Sequence, residues 1–287
     1  MSGRPGASTS ASHLSGRAIV VTGAAGGFGR LLSRQAAERG GKLVCCDVDG
    51  GALETAVDEI RSRGGSATGI VADVTDLGAM RSVVEQTVRQ HGAVDVLVNN
   101  AGVMPLGFFA DHERAAEAWS RCIDINVRGV LNGMIAVYDA MTRQGRGHIV
   151  NLSSIYGNFP VAGAAVYGAS KAAVNFLSEA FRVETQGRIK VTIVRPTGVP
   201  GTGLGGGIVN PAAITGILGQ HAAEYLERLA AVMKGEAQPG ELDPDSPRYA
   251  ALAPEHLVAQ ILYAIDQPWG VSIGDITVRA TGDRYIL

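Results

Sequence analysis

The chain has 287 residues, enough for one large α/β domain that buries its core without disulfides or metals. Its 25 basic and 27 acidic residues leave a formal charge of −2, so no imbalance points to nucleic acid or to an anionic membrane surface. No uncharged apolar run reaches the roughly eighteen residues of a membrane helix, and no membrane span is expected.

Residues 1–14 open with small and polar side chains, lack the apolar stretch of a secretory signal, and are predicted to form a disordered tail. Short apolar runs then alternate with longer amphipathic stretches, the pattern of parallel strands joined by helical crossovers. Strands are predicted near 17–22, 42–47, 67–72, 94–98, 147–152 and 189–194, and helices near 27–40, 50–63, 76–91, 113–142 and 165–186. Beyond Pro196 the stretch 197–207 is too rich in glycine and proline for a regular element. A helical piece follows near 219–234, then a second punctuated stretch at 238–247. Pro254 and Glu255 open another helix, and 271–278 alternates like a final strand. Cys45 and Cys46 fall in an apolar strand and, with Cys122, lack a CxxC spacing; core packing under reducing conditions and a cytoplasmic location are the expectation. The six histidines show no ligand spacing, so no catalytic metal is expected.

The turn Thr22-Gly-Ala-Ala-Gly-Gly-Phe-Gly29 lies between the first strand and the first helix. There, backbone amides and the helix N-terminus can face a pyrophosphate with no side chain in the way, although the same glycines would suit a plain tight turn. Asp47 ends the second strand, where a carboxylate can accept hydrogen bonds from both adenosine ribose hydroxyls and would repel a 2′-phosphate. No Arg or Lys lies within 23–29, and Val48 rather than a basic residue follows the aspartate. NAD is therefore favoured over NADP, with a strand-end turn as the plainer role for Asp47. Farther along, Tyr167 and Lys171 stand four positions apart on one side of a predicted helix. A free tyrosine has a pKa of about 10, and a nearby positive charge can stabilise its phenolate and make it an acid/base group.

TGxxxGxG at 22–29, NNAG at 99–102, Asn126, Ser154 and the Tyr167–Lys171 pair together resemble the short-chain dehydrogenase/reductase family. The resemblance runs from about Gly16 to the last strand. It implies a Rossmann-type doubly wound parallel sheet of about seven strands, in a single NAD-binding domain over 15–287. By the family pattern, Ser154, thirteen residues before Tyr167, would bond the substrate oxygen, while Ser153 would satisfy backbone groups. Asn126 would keep a water in line with Lys171, or simply mark a bend in its helix. The cofactor set implied is Gly23, Gly27, Phe28, Gly29, Asp47, Val48, Asp73, Val74, Asn100, Ala101, Gly102, Tyr167, Lys171, Pro196, Val199 and Thr202. Of these, Asp73 and Val74 would cap the adenine. The family's clasp on the carboxamide is Pro-Gly with a threonine five positions beyond the proline; here Thr197 follows Pro196 and the threonine comes at 202. Among the apolar residues flanking these motifs, Tyr156 and Phe159, with Leu204, are expected to meet the substrate beside Ser154 and Tyr167.

The expected activity is NAD-dependent interconversion of a secondary alcohol and a ketone on a fairly apolar small molecule. A ketoacyl-thioester reductase and a non-catalytic dinucleotide sensor are the alternatives. The family usually assembles as a homotetramer through the helices that here run 113–142 and 165–186. Segment 203–250 is longer than its connection requires and is read as a helical substrate lid, with an ordinary helix packed on the domain or on a neighbouring subunit as the plainer reading. Glycines 203–207 would serve as its hinge, and Ile214, Ile217, Leu218, Tyr225, Leu226, Leu229 and Met233 as its apolar face.

Overall fold

A computed structural model of the chain describes residues 12–286; the side chains of Leu229 and Met233 lie outside the described set, as do residues 1–11 of the expected tail. The order of elements is β1 (Ala18–Thr22), α1 (Gly27–Glu38), β2 (Lys42–Asp47), α2 (Gly50–Ser62), β3 (Ser66–Val71), α3 (Leu77–His91) and β4 (Val96–Asn99). There follow α4 (His112–Ile123), α5 (Gly129–Gln144), β5 (Gly147–Leu152), α6 (Ala165–Glu184) and β6 (Ile189–Pro196). The chain closes with α7 (Thr215–Leu218), α8 (Ala222–Met233), α9 (Pro254–Ile265) and β7 (Asp275–Val278).

All seven strands form one parallel sheet in the order β3-β2-β1-β4-β5-β6-β7. Strands β1, β4 and β5 are buried along their whole length, as a sheet covered on both faces requires. Successive side chains divide between the faces: Ile19 and Val21 pack with Leu32, Leu53, Ile60, Leu257 and Ile261. Val20 instead packs with Val83, Leu97, Met134, Val137 and Val174. The strand order reverses between β1 and β4, and at such a switch point a crevice opens beyond the carboxyl ends of the strands. Among the described residues no helix is long and apolar enough to cross a membrane.

Three expectations are corrected. The helix expected over 113–142 is interrupted at Asp124–Arg128 by a π-helical turn. Its wider turn brings the fully buried Asn126 inward, where Oδ1 accepts from the Val103 amide and Nδ2 donates to the Val103 carbonyl, both at 2.9 Å. The last strand begins at Asp275 rather than 271, because side chains of β6 take the carbonyls that a ladder would use: Lys190 Nζ donates to Val271 and Thr192 Oγ1 to Ile273. The tail boundary at 14 also moves. Leu14 is fully buried in the core, and Asp266 Oδ1 accepts from Ser12 Oγ at 2.9 Å and from the Leu14 amide at 2.7 Å.

Leu14→Ala is accordingly expected to lower the unfolding free energy by about 2–5 kcal/mol, the usual range for a buried leucine. Urea titration of the variant checks this, and a loss below about 0.5 kcal/mol, as at an ordinary surface position, would contradict docking of this segment.

Candidate active site

Beyond the carboxyl end of β1 the chain turns into α1 through backbone that has no room for a side chain at Gly23 or Gly29. Gly23 has φ +65°, and a Cβ there would come within 2.9 Å of Ala101 Cα; one on Gly29 would strike the Gly23 carbonyl. Asn100 fixes the turn from β4, its Nδ2 donating to the carbonyls of Thr22 at 2.9 Å and Gly23 at 3.0 Å. Helix α1 starts after Gly26 with no side-chain cap and no acid in its first turn, and the space a Cβ of Gly26 would face is open. Uncapped amides at the positive end of a helix, beside an open approach, are a donor set that fits a pyrophosphate.

The other expected cofactor residues surround this turn. Asp47 Oδ2 accepts from the Ala25 amide at 3.0 Å and Oδ1 from the Asp49 amide at 3.1 Å, so the carboxylate ties the glycine turn to β2. Each oxygen retains a lone pair for a ribose hydroxyl. Arg30 and Arg34 on α1 are paired with Glu59. Val48 is exposed, and Asp73 accepts from the amide and hydroxyl of Thr75. Val74 is buried, its carbonyl bonded by Asn132. Phe28 is half-buried and leans its ring on the core. Across the crevice, Pro196 ends β6 and Thr202 Oγ1 donates to the Val199 carbonyl at 3.3 Å. The Thr202 carbonyl itself stands against Gly27.

Ser154, Tyr167 and Lys171 converge at the carboxyl end of β5. Ser154 is extended and its Oγ accepts from the Tyr156 amide at 3.2 Å, with the Ser154 hydroxyl next to the Tyr167 phenol. The Tyr156 ring meets that of Tyr167 edge-on at 5.4 Å. Burial pushes the Tyr167 phenol well above its ordinary pKa, and the neighbouring Ser154 hydroxyl works against that rise. Lys171 differs from expectation. Its ammonium, 5.8 Å from the centre of the Tyr167 ring, donates to the Leu152 carbonyl at 2.8 Å, and burial pulls its pKa down to about 8.

Asn126 Nδ2 also donates to Ser170 Oγ at 3.1 Å, while Ser170 donates to the Tyr167 carbonyl at 2.7 Å. Gly102 leaves the room in which Asn126 and Lys171 approach each other; a Cβ there would lie 3.3 Å from Asn126 Oδ1 and 3.6 Å from Lys171 Nζ. Ser153 donates to the Lys171 carbonyl at 3.2 Å. Of the expected substrate residues, Tyr156 is buried beside Tyr167 and Leu204 is half-buried in a 3₁₀ turn, whereas Phe159 is 65% exposed and stands apart from the buried cluster around Tyr167. That cluster also takes in Ala213, Ile217, Leu218 and Tyr225 from the 203–250 segment, and Tyr285 from the C-terminal end. Tyr285 was not singled out in the sequence; the only signal was an aromatic-aliphatic pair, Tyr285-Ile286, beyond the last strand.

The family model described as short chain dehydrogenase matches residues 17–210. An uncharacterized oxidoreductase of Listeria monocytogenes is 31% identical over 94% of this chain and 98% of its own length. The 2,5-dichloro-2,5-cyclohexadiene-1,4-diol dehydrogenase of Sphingobium indicum is 34% identical over 66% of this chain and 75% of its own. Among solved structures, a short-chain dehydrogenase/reductase from Burkholderia phymatum in complex with NAD superposes with a TM-score of 0.72 at 27% identity, covering 92% of this chain and 89% of that one. A metagenomic short-chain oxidoreductase in complex with NADP gives 0.70 at 27% identity, over 94% of this chain and 100% of that one. A glycine cradle, a buried Ser-Tyr-Lys group and these likenesses lead to one conclusion: the chain belongs to the short-chain dehydrogenase/reductase family and is an oxidoreductase of that family.

Proposed function

We propose that this protein interconverts a secondary alcohol and a ketone with NAD, and that Tyr167 moves the proton. The observation that carries the reading is the gathering of buried Ser154, Tyr167 and Lys171 at the carboxyl end of β5, in the same crevice as the glycine turn. NAD, when bound, supplies the hydride acceptor, and NADH the donor, that the protein lacks. Gly23, Gly27, Gly29 and the first amides of α1 would hold its pyrophosphate, and Asp47 its adenosine ribose. Val48, Asp73 and Val74 would border the adenine, with Asn100, Ala101, Gly102, Pro196, Val199 and Thr202 along the nicotinamide half. NAD rather than NADP fits a carboxylate at the ribose position with Arg30 and Arg34 already paired.

The Ser154 hydroxyl donates to the substrate oxygen as charge builds there. In the reducing direction the Tyr167 phenol gives its proton to that oxygen; in oxidation the phenolate removes it. Asn126 and Lys171 lead toward a proton path to solvent, and Tyr156, with Leu204 at the edge, borders the substrate. The 203–250 segment acts as the lid: Ala213, Ile217 and Leu218 are buried in the cluster that holds Tyr167, while glycines 203–207 allow the backbone to move. Helices α5 and α6 carry Leu131, Ile135, Tyr138, Phe176 and Val183 outward, Phe176 at 77% exposure, and this apolar surface supports assembly as a tetramer. Three buried free thiols suit a cytoplasmic site of action.

Two measurements test the reading. Tyr167→Phe is expected to retain NAD binding by calorimetry and to lose about 10²–10⁴-fold in turnover; near-normal turnover would remove Tyr167 from its role. The native protein is expected to show a higher kcat/KM with NAD than with NADP, and Asp47→Ala to narrow that gap. A native preference for NADP in steady-state assays would contradict the role given to Asp47.

A further inference from the structure

The residues after β7 return over the lid. The Ile286 amide donates to the Ile217 carbonyl at 3.0 Å, Arg284 pairs with Glu224 at 2.7 Å, and Gly219 leaves room for the Ile286 side chain. This return brings Tyr285 inward. Its ring lies 6.2 Å from that of Tyr225 on α8, tilted at 47°. The Tyr285 hydroxyl also lies so close over Gly198, two residues beyond the end of β6, that a Cβ there would collide with it. Tyr156, edge-on to Tyr167, belongs to the same cluster, against which Tyr225 and Tyr285 pack.

Three phenols therefore gather on the lid side of Tyr167 in a cluster that is otherwise mostly aliphatic. Tyrosines enclosed by apolar surroundings generally find a hydrogen-bond partner. Two neighbouring phenols carry two donors and more acceptor capacity than any one mutual bond could use, the complement of a hydroxyl or a carbonyl. The neighbouring charges favour an uncharged ligand group. Asp283 acts on the Tyr285 phenol, and the lid arginines Arg228 and Arg284 are paired with Glu241 and Glu224. Burial also keeps the phenols of Tyr156 and Tyr285 protonated at neutral pH.

We propose that Tyr225 and Tyr285, with Tyr156, form a second oxygen-binding subsite, so that the preferred substrate carries an uncharged hydroxyl or carbonyl besides the carbon that reacts at Tyr167. The substrate class is then a compact diol or hydroxyketone. This rests on the alcohol–ketone reading of the site and adds specificity-determining residues to it.

The test is steady-state kinetics with NAD on matched pairs, cyclohexanol against the cyclohexanediols and 2-butanol against 2,3-butanediol, for the native protein and for Tyr225→Phe and Tyr285→Phe. The native protein should favour the diols in kcat/KM. Each Phe variant, which keeps the ring and removes only the hydroxyl, should lower the diol-to-alcohol ratio by about 3- to 10-fold, the scale of one neutral hydrogen bond. Thermal melting confirms that each variant is folded, and Tyr156→Phe provides a further variant should one fail to fold. NAD-linked turnover with no preference for diols, or a ratio unchanged in folded Phe variants, overturns the subsite and leaves the alcohol–ketone reading standing. Absence of NAD-linked turnover with both classes overturns the two together.

Discussion

The chemistry of the site depends on how closely α6 lies against the turn that follows β5. Gly168 comes so near the Tyr156 carbonyl that a Cβ would sit 2.9 Å from it, and a Cβ on Gly157 would meet the Lys171 carbonyl carbon at 2.8 Å. Two glycines facing each other's backbone let helix and turn touch without intervening side chains. Polar bonds then fix the relative height of the two elements: Lys171 Nζ to Leu152, Ser153 Oγ to Lys171, and Asn175 Nδ2 to Gly157. Ser154 and Tyr167 meet because these contacts leave their elements no other registration.

The π turn at 124–128 does the same from the other side. A regular helix would have continued the hydrogen-bond ladder through Asn126; the wider turn gives up that regularity and places a buried amide where it bonds Val103 twice and reaches Ser170. Ser170 in turn bonds the Tyr167 carbonyl. The loop after β4, the helix beyond it and α6 are thereby joined through one side chain, every polar atom of which is used. A second buried relay, Asn99 to Asn151 to Ser178, ties β4, β5 and α6 below it. Such fully satisfied networks specify a single arrangement of the elements that carry the site.

What could be read in the sequence is what short range determines. The strands through β6, the glycine turn and the one-turn spacing of Tyr167 and Lys171 follow from local pattern, and the seven-stranded parallel sheet follows from their alternation. The departures come from contacts between distant residues. Leu14 is ordered by Asp266, 252 positions away, and β7 is shortened by side chains of β6 some eighty residues earlier. The break at Asn126 leaves no mark in the apolar periodicity, since its cause is the backbone of Val103. Lys171 shows the same limit within the site: helical spacing puts it beside Tyr167, but the strand carbonyl above it decides where the ammonium goes.

The cap over the site is built differently from the sheet beneath it. Ala213, Ile217 and Leu218 are buried as completely as core residues, so this part of the cap is anchored by apolar contact. Helix α8 has weaker ties: Leu226 is exposed, and its ion pairs to Arg284 and within the helix lie partly in solvent, where such pairs contribute little. Its better-buried tie is Arg228 with Glu241, which joins α8 to the next part of the same insertion rather than to the sheet. Helix α8 is thus held mainly through its neighbours in the same segment and through Arg284, while Ala213, Ile217 and Leu218 anchor the segment to the cluster around Tyr167. A sheet covered on both faces fixes the elements that carry Ser154, Tyr167 and Lys171, while the segment above them is held by fewer and more exposed ties.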